Sequence, residues 1–480
     1  MIDDDSLDTA SDPKPELQPT IIVIFGITGD LAKRYLLPSL YTLFRQGLLH
    51  EKTELVGISR RDIETELIFD ELRASIEKAG KELDSATIDL MRQRTHGFKL
   101  DMDDPGGYAD LLHTLNTIEE NQGVCMNRLY YLSIPPSAYA NVITHLGMGG
   151  LNSSCPHGEA MTRILIEKPF GDDLASARKL VDTINQSFGE QQIYRIDHYL
   201  AKETAQNIST FRFENPLFET IWNNRHVDSI DIVAAEQIGV EGRADFYEQQ
   251  GALRDFIQNH LLQLLAVATM DQPERFDSEA VHTAKLRLLQ SIRPISAEQV
   301  PQQTRRGQYQ GYRDEVGNSS SNIETFAQIT TYIDTPRWEG VPVRVRTGKA
   351  MADKRTAVTF IFRDHDAELP NLPNSNTLQF RIQPDEGISL NLIAKKPGFE
   401  RQLQPVTMNF SYSEDFLGGQ PDAYERVLLD AVRGDQTLFA SSEEVLAAWK
   451  VVDAVVHTWS ENGEGLINYP YGMDIDSLVE

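Results

Sequence analysis

The stretch RIDHYLAKE, residues 195–203, carries four different reactive side chains in close succession. Asp197 offers a carboxylate, His198 an imidazole and Tyr199 a phenol. Lys202 adds an ammonium group. These side-chain types transfer protons and hold anionic groups in enzymes. Because neighbours on a strand project to opposite faces, Asp197 and His198 can serve different tasks if the strand continues this far. Without further context, a solvated cluster of ion pairs is the competing interpretation.

A second stretch, GALRDFIQNHLLQ at 251–263, has helical periodicity. Asp255, Asn259 and Gln263 form a polar stripe at i, i+4 and i+8, and His260 lies at the edge of the apolar face. Histidine titrates near neutral pH, so His260 is a candidate general base. By periodicity alone, a histidine satisfied at the edge of the core is the better interpretation.

A glycine turn follows the first apolar run, IIVIF, in the segment GITGDLAKRYLLP. Gly26 and Gly29 permit a tight turn and close backbone approach, and Asp30 can cap the helix that follows. The N–H groups of such a helix start bind a pyrophosphate. The Gly-x-x-Gly spacing is shorter than the usual three-glycine fingerprint, so a plain strand-to-helix connection remains an alternative.

The second apolar run ends in LVGISRRD, and its last residues bear on the choice of dinucleotide. A carboxylate here favours NAD, whereas an arginine favours the 2′-phosphate of NADP. Arg60 and Arg61 predict NADP, with Arg60 the better candidate. Asp62 leaves NAD as a weaker alternative, and two solvated arginines would carry no such meaning.

The elements that must position these residues differ between the two halves of the chain. Up to about residue 195, continuous apolar runs alternate with amphipathic helices, which is typical of an α/β domain with a parallel sheet. Between 322 and 412, at least five strands alternate apolar and polar residues, as in an antiparallel sheet with flanking helices. The fold class is therefore α/β plus α+β: an N-terminal Rossmann-like parallel sheet and a larger C-terminal domain on a mainly antiparallel sheet.

The expected domain limits follow from this change of periodicity. Residues 1–19 are read as a flexible acidic leader, 20–196 as the dinucleotide-binding domain, and 197–480 as the substrate and dimerisation domain. The aperiodic segment 296–322 is expected to be a long surface connection.

Composition excludes several functional classes. The chain has 480 residues and a net charge of −27, which repels nucleic acid and anionic lipid. No apolar run approaches the roughly 20 residues that span a bilayer, and residues 1–19 do not resemble a signal peptide. A cytoplasmic location is expected, with no nucleic-acid or membrane partner. Cys125 and Cys155 show no metal-ligand spacing and are expected to be free thiols.

Several motifs taken together resemble glucose-6-phosphate dehydrogenase. They are GITGDLAKRYLLP, EKPFG (167–171), RIDHYLAKE, GALRDFIQNHLLQ and RVRTGKAMADKR (344–355), in this order. The resemblance covers about residues 20–475. It implies oxidation of glucose 6-phosphate at C1 to 6-phosphogluconolactone, with hydride transfer to NADP and without a metal, as the first step of the pentose phosphate pathway.

The resemblance also implies a role for each matching residue. His260 is the base and Asp197 the carboxylate that orients it. The residues expected to contact the sugar phosphate are Lys168, His198, Tyr199, Lys202, Glu236, Asp255, Lys349 and Lys354. The residues expected to line the cofactor site are Gly26, Ile27, Thr28, Gly29, Asp30, Leu31, Lys33, Arg60, Tyr131, Pro135 and Lys168. A homodimer or homotetramer is expected.

Three features depart from the family pattern. Ile27 and Thr28 stand where smaller residues are frequent, and Ile27 is expected to crowd the turn. Ala201 replaces a usual glycine beside the phosphate-binding residues. The connection around RRGQYQGYRDE (305–315) is shorter than in many relatives, which puts a second, structural dinucleotide site in doubt. The alternatives for function are a sugar oxidoreductase of the glucose–fructose oxidoreductase type and a non-catalytic sugar-phosphate sensor.

Overall fold

The structure is a computed structural model, and it describes residues 17–78, 82–155, 160–363, 376–415, 421–461 and 463–478. Most of the expected acidic leader, 1–19, lies outside these ranges. Two compact units are present, each assembled from separate pieces of the chain. The first comprises residues up to Ile166 with Gln186–Tyr194 and Tyr424–Gln436, and the second comprises the remainder. The domain limits drawn from the sequence stay a prediction.

The first unit is built on a six-stranded sheet in the order β3-β2-β1-β4-β5-β6. Its strands are β1 (Thr20–Phe25), β2 (Glu54–Ser59), β3 (Thr95–Lys99), β4 (Asn127–Leu132), β5 (Thr162–Ile166) and β6 (Ile193–Arg195). The pairs β1–β2, β1–β4, β2–β3 and β4–β5 are parallel. Every residue of β1, β2, β4 and β5 is buried, as helices on both faces of the sheet require. This order is that of dinucleotide-binding sheets.

Helices follow most of these strands. Those of the first unit are Ala32–Leu36, Leu37–Arg45, Thr65–Lys78, Ser85–Gln93, Pro105–Gln122, Pro136–Ala138, Tyr139–Met148 and Glu190–Gln192. The late segment 424–436 also belongs here: the Tyr424 ring stacks on Tyr35 at 5.1 Å, and Arg163 Nη1 donates to the Val432 carbonyl at 3.0 Å. Gln436 Nε2 donates to the Ile193 carbonyl at 2.9 Å. The helix Ala423–Arg433 forms most of this late segment. The second unit holds the helices Leu174–Asn185, Glu203–Phe213, Pro216–Glu219, Ala244–Ala252, Leu253–Leu261, Leu262–Thr269, Ser278–Ser291, Ala297–Gln299, Val300–Gln303, Tyr312–Glu315, Tyr412–Asp415, Ser442–Glu461 and Ile475–Leu478.

The second unit is built on a nine-stranded sheet in the order β14-β13-β12-β11-β7-β10-β9-β8-β15. Its strands are β7 (Val227–Ala235), β8 (Thr304–Tyr309), β9 (Phe326–Tyr332), β10 (Pro342–Gly348), β11 (Arg355–Phe362), β12 (Thr377–Gln383), β13 (Gly387–Lys395), β14 (Leu403–Ser411) and β15 (Leu466–Tyr469). Most pairs are antiparallel, whereas β7–β10 and β8–β15 are parallel. The predicted fold class is confirmed in both units.

Two expectations from the sequence are wrong. Segment 296–322 is not a surface connection, because it contains β8 and buries Tyr309 and Tyr312 in an apolar cluster of the second unit. Cys125 and Cys155 are not free thiols; their sulfur atoms are bonded to each other. Since β4 and β5 are parallel neighbours, the two loops that precede them enter the sheet at the same edge.

Candidate active site

The side chains of Asp197 and His260 lie in direct contact. His260 Nδ1 is 2.6 Å from Asp197 Oδ1, and the backbone N–H of Tyr199 donates to the same oxygen at 3.0 Å. Strand β6 ends at Arg195, so Asp197 lies in the turn that follows rather than on the strand. The strand argument for Asp197 and His198 therefore does not apply. Both carboxylate and imidazole are almost fully buried, at 5% and 1% exposure.

Burial and pairing act on these two groups in opposite directions. Burial raises the pKa of Asp197, but the charge and hydrogen bond of His260 outweigh it and hold that pKa at about 2. Burial lowers the pKa of His260, and Asp197 only partly offsets the loss of hydration. His260 is therefore neutral at neutral pH, with Asp197 ionised. Among the described residues, no hydrogen-bond partner meets the buried Nε2 of His260, which leaves that nitrogen available to accept a proton.

The helix that carries His260 is wound as a π-helix over Leu253–Leu261. Asn259 Oδ1 accepts the backbone N–H of His260 at 2.6 Å, and Asn259 Nδ2 donates to the carbonyl of Arg254 at 2.9 Å. Such wider turns recur at functional sites, where they change the direction of a side chain. Here the polar stripe predicted from the sequence is split: Asp255 faces a lysine, and Asn259 bonds its own helix.

That lysine is Lys168, after β5. Its Nζ donates to the carbonyl of Asp255 at 2.7 Å and to Oδ1 at 3.0 Å. Burial raises the pKa of Asp255, but Lys168 and Lys349 lower it more strongly, to about 2. Two cations thus lie close to one buried carboxylate.

A second lysine–carboxylate pair is produced by the parallel strands β7 and β10. The last residues of these strands, Ala235 and Gly348, are paired, so the residues that follow them emerge at the same edge. As a result Lys349 Nζ lies 2.5 Å from Glu236 Oε2. Lys349 also lies over the ring of Tyr247, 5.2 Å from its centroid.

His198 and Tyr199 pack against the imidazole of His260. Its ring centroid is 4.7 Å from that of His198 and 4.5 Å from that of Tyr199. Burial, with the nearby charges of His260 and Lys168, lowers the pKa of His198 well below 6.5. Lys202 lies 3.9 Å from Glu386, whereas Lys354 is exposed.

The structure thus brings together the following predicted residues: Lys168, Asp197, His198, Tyr199, Glu236, Asp255, His260 and Lys349. Sequence reasoning missed Gln383 and Glu386. Gln383 Nε2 donates to the hydroxyl of Tyr199 at 2.9 Å, and Glu386 is paired with Lys202. These contacts join β12 to a turn far away in sequence, and no local pattern signals them.

The glycine turn of the first unit is tight and packed closely against the loop after β4. Gly26 has φ +79°, and a Cβ there would lie 2.3 Å from the carbonyl oxygen of Ser133. Gly29 N–H donates to the Gly26 carbonyl at 2.8 Å and closes the turn. Asp30 does not cap the helix as predicted; it pairs instead with Arg34 at 3.2 Å, one turn later.

Ile27 does not crowd this turn, contrary to expectation. Its side chain is fully buried and packs on β2, where Gly57 leaves room for it. A Cβ on Gly57 would lie 2.5 Å from Ile27 Cδ1. The side chain of Ile27 thus occupies the space that Gly57, which has no side chain, leaves on β2.

The remaining predicted cofactor residues surround the same sheet edge. Arg60 is exposed directly after β2, while Asp62 is held by Lys99 at 3.0 Å. Lys33 pairs with Glu71 at 2.8 Å. Tyr131 is buried within β4, and Pro135 is exposed after it. Thr28 is exposed and Leu31 partly buried at the start of the helical segment.

Over the described ranges, no group of three or more histidine, cysteine, aspartate or glutamate side chains could hold a metal ion. None of the described helices is long and apolar enough to cross a membrane.

A parallel sheet with a glycine turn, and a separate unit with a carboxylate-oriented imidazole among lysines, define a nucleotide-dependent oxidoreductase. Two family models match: "Glucose-6-phosphate dehydrogenase, NAD binding domain" over residues 23–207 and "Glucose-6-phosphate dehydrogenase, C-terminal domain" over 209–476. The chain belongs to the glucose-6-phosphate dehydrogenase family.

Curated relatives agree over nearly the full length. Glucose-6-phosphate 1-dehydrogenase of Chlamydia pneumoniae is 39% identical, covering 96% of this chain and 94% of the relative. The Bacillus subtilis protein of the same name is 38% identical, covering 96% of each. A solved structure described as "Glucose-6-phosphate dehydrogenase in complex with its substrate glucose-6-phosphate" matches with a TM-score of 0.87, at 32% identity and 96% coverage of each chain.

Proposed function

We propose that the protein oxidises glucose 6-phosphate at C1 to 6-phosphogluconolactone, with NADP as hydride acceptor. The observation that carries the proposal is the buried pair of Asp197 and His260, in which Nδ1 is bound to the carboxylate and Nε2 is left to accept a proton. Membership of the family and the name of the relatives support the substrate.

In the proposed mechanism, His260 Nε2 removes the proton of the C1 hydroxyl. Asp197 holds the imidazole by its Nδ1–H and stabilises the cation that forms. His198, Tyr199 and Lys202 bind the phosphate. The carboxylates of Glu236 and Asp255 accept hydrogen bonds from sugar hydroxyls, and Lys168 and Lys349, now paired with them, turn to the substrate. Lys354 is kept as a substrate contact by resemblance alone.

The residues of the glycine turn fit a dinucleotide. The turn from Gly26 to Lys33 would hold the pyrophosphate, and Arg60 the 2′-phosphate, with Tyr131 and Pro135 toward the nicotinamide. Lys168 is kept as a cofactor contact by resemblance alone. When bound there, NADP would supply the acceptor for the C1 hydride. The choice of NADP over NAD rests on the arginine that directly follows β2, since Asp62 and Lys99 form only an exposed salt bridge.

A steady-state assay of NADPH or NADH formation tests the proposal, with glucose and glucose 6-phosphate each offered with NADP and NAD. We expect turnover of the phosphorylated sugar with NADP to exceed the other combinations at least tenfold in kcat/KM. Equal use of glucose would favour an oxidoreductase of the glucose–fructose type, and sugar-phosphate binding without turnover would favour a sensor.

Cofactor choice has its own test in Arg60→Ala. Losing a guanidinium beside the 2′-phosphate should raise the KM for NADP by about 10- to 100-fold, since a charge-assisted pair contributes ~1.5–3 kcal/mol. The KM for NAD should stay nearly unchanged. Arg61→Ala is the matched control, one residue further along the loop. A larger effect at Arg61 than at Arg60 would contradict the assignment.

A homodimer is also proposed, with a homotetramer as its possible extension. The apolar face of β12 is buried, and Phe380 meets Phe211 at 5.3 Å between ring centroids. The same face continues on β13 and β14, where Leu390 is paired with Met408, which is 63% exposed. A second copy would cover it, which light scattering of the purified protein tests: a monomer mass contradicts this proposal. A cytoplasmic location stays a prediction from the sequence.

A further inference from the structure

A buried dipeptide outside the proposed catalytic and substrate residues connects two parts of the candidate site. Glu324 and Thr325 lie directly before β9 and are 4% and 0% exposed. Neither was singled out by its sequence pattern. Their hydrogen bonds run in one direction to the helix of His260 and in the other to the backbone of Lys349.

Glu324 holds the start of the π-helix. The backbone N–H of Ala252 donates to the Glu324 carbonyl at 2.9 Å, and that of Leu253 donates to Glu324 Oε1 at 3.0 Å. The first N–H groups of a helix have no partner within it, so these bonds satisfy two of them. A carboxylate at this end is also favoured by the helix dipole.

Gly251 fits this arrangement. It has φ +64° and ψ 174°, and a Cβ there would lie 2.4 Å from Glu324 Oε1. The backbone kinks at Gly251, and only a residue without a side chain can adopt this conformation against the carboxylate. The carboxylate of Glu324 and the missing side chain of Gly251 together fix the residue at which the π-helix starts.

The start of the helix decides where its functional side chains point. Asp255 lies in the first turn, and His260 in the second. Because successive residues of a helix point in different directions around its axis, a shift of the helix start by one residue would turn Asp255 away from Lys168 and His260 away from Asp197.

Thr325 holds the backbone of Lys349. Its carbonyl accepts the backbone N–H of Lys349 at 2.9 Å. Its hydroxyl lies 2.7 Å from that of Tyr469, which donates to the Lys349 carbonyl at 2.8 Å. Both backbone groups of Lys349 are therefore fixed by this dipeptide and its tyrosine neighbour.

We infer that Glu324 and Thr325 are positioning residues, which set the helix of Asp255 and His260 and the strand end of Lys349 in one arrangement. The inference rests on the proposed function and deepens it. Glu324 acts by accepting the N–H of Leu253, which an amide oxygen can also do. It does not act as a reacting group.

Three variants test the helix side. Glu324→Gln keeps an acceptor oxygen at the same place, so kcat/KM for glucose 6-phosphate should stay within about threefold of wild type. Glu324→Ala should lower kcat/KM at least tenfold and shift the acidic limb of its pH profile to lower pH. The reason is that a His260 held less firmly against Asp197 has its pKa raised less by that carboxylate. Asp277→Ala is the control: Asp277 caps another helix by accepting the N–H of Ala280 at 2.9 Å. It should lower Tm while leaving kcat and the pH profile unchanged.

Tyr469→Phe tests the lysine side and remains informative if Glu324→Ala does not fold. It should raise the KM for glucose 6-phosphate severalfold with a smaller change in kcat. Wild-type kcat, KM and pH profile in both Glu324→Ala and Tyr469→Phe would overturn the inference. An inactive wild type would instead reject the proposed function, so the two failures are distinguishable.

Discussion

At the scale of single residues, one imidazole nitrogen of His260 is bound to Asp197 and the other meets no partner within the described part of the chain. His260→Asn removes the proton acceptor but keeps a planar polar side chain. We expect kcat to fall by about 10²–10⁴-fold, the usual contribution of a general base, while KM for glucose 6-phosphate changes only a few-fold. Steady-state kinetics with calorimetric binding checks both. A rate within tenfold of wild type would rule His260 out as the base.

Asp197 tunes the same nitrogen, and the sign of its effect can be tested by pH. In the wild type, burial keeps the pKa of His260 below 6.5 although Asp197 raises it. Since the base must be unprotonated, kcat/KM should fall only as the pH drops through that lowered pKa. Asp197→Asn removes the charge that raises it, so the acidic limb should move to still lower pH.

In the same variant, kcat should drop by about 10- to 100-fold, because the imidazolium loses its counter-ion. Asp104→Asn, at the capped start of helix Pro105–Gln122, is a control for loss of one carboxylate. An acidic limb that moves upward in Asp197→Asn would contradict the arrangement.

At the scale of elements, the loop after β1 and the middle of β2 are fitted to each other through Ile27 and Gly57. Gly57→Ala should place a methyl group against Ile27 and destabilise the protein by about 1–3 kcal/mol, as overpacking does. Urea unfolding measures this change. Ile27→Ala combined with Gly57→Ala should lose less than the sum of the single changes, because the truncation makes the missing space. Strict additivity would mean that the two residues do not interact.

A strand could be predicted from the sequence when the pattern of its own residues determines its structure. Strands β1, β2, β4 and β5 are buried on both faces and therefore carry continuous apolar runs that sequence alone reveals. Strand β3, THGFK, lies at the sheet edge with partly exposed residues, and β8 is held by its partners β9 and β15. Neither has a pattern of its own.

The same reasoning separates the residues of the candidate site. His260, Asp197 and Lys168 belong to motifs that are recognisable in the chain. Glu324 and Gln383 act through contacts with distant segments, and their neighbours in sequence do not distinguish them from surface residues. The contact of Glu236 with Lys349 depends on β7 and β10 being parallel neighbours. The alternation of apolar and polar residues along a strand does not reveal which strands are neighbours.

At the scale of the whole molecule, a buried ion pair joins the helices Ser278–Ser291 and Ser442–Glu461. Lys285 Nζ lies 2.9 Å from Glu444 Oε2, and both side chains are fully buried. Glu444 also meets His282 Nδ1 at 2.6 Å. Glu444→Ala should cost about 3–5 kcal/mol of unfolding free energy, because it leaves an ammonium group buried and unpaired.

Chemical unfolding checks this value against two matched variants. Lys285→Met with Glu444→Leu replaces the pair by apolar groups of similar size and should be near neutral. Asp334→Ala breaks the exposed pair with Arg293 and should cost less than about 1 kcal/mol. If Glu444→Ala lowers the unfolding free energy no more than Asp334→Ala does, the buried pair stabilises the protein no more than an exposed pair.

The unit with the glycine turn takes one of its pieces, 424–436, from late in the chain. During synthesis, residues up to 194 leave the ribosome well before this piece exists, by tens of seconds at ~5–20 residues per second. Until then, the surface of the nascent sheet that this segment covers in the folded protein remains exposed. A chaperone that shields apolar surface would bind there during this interval. A gene fragment cut after residue 194 would encode a permanently incomplete unit.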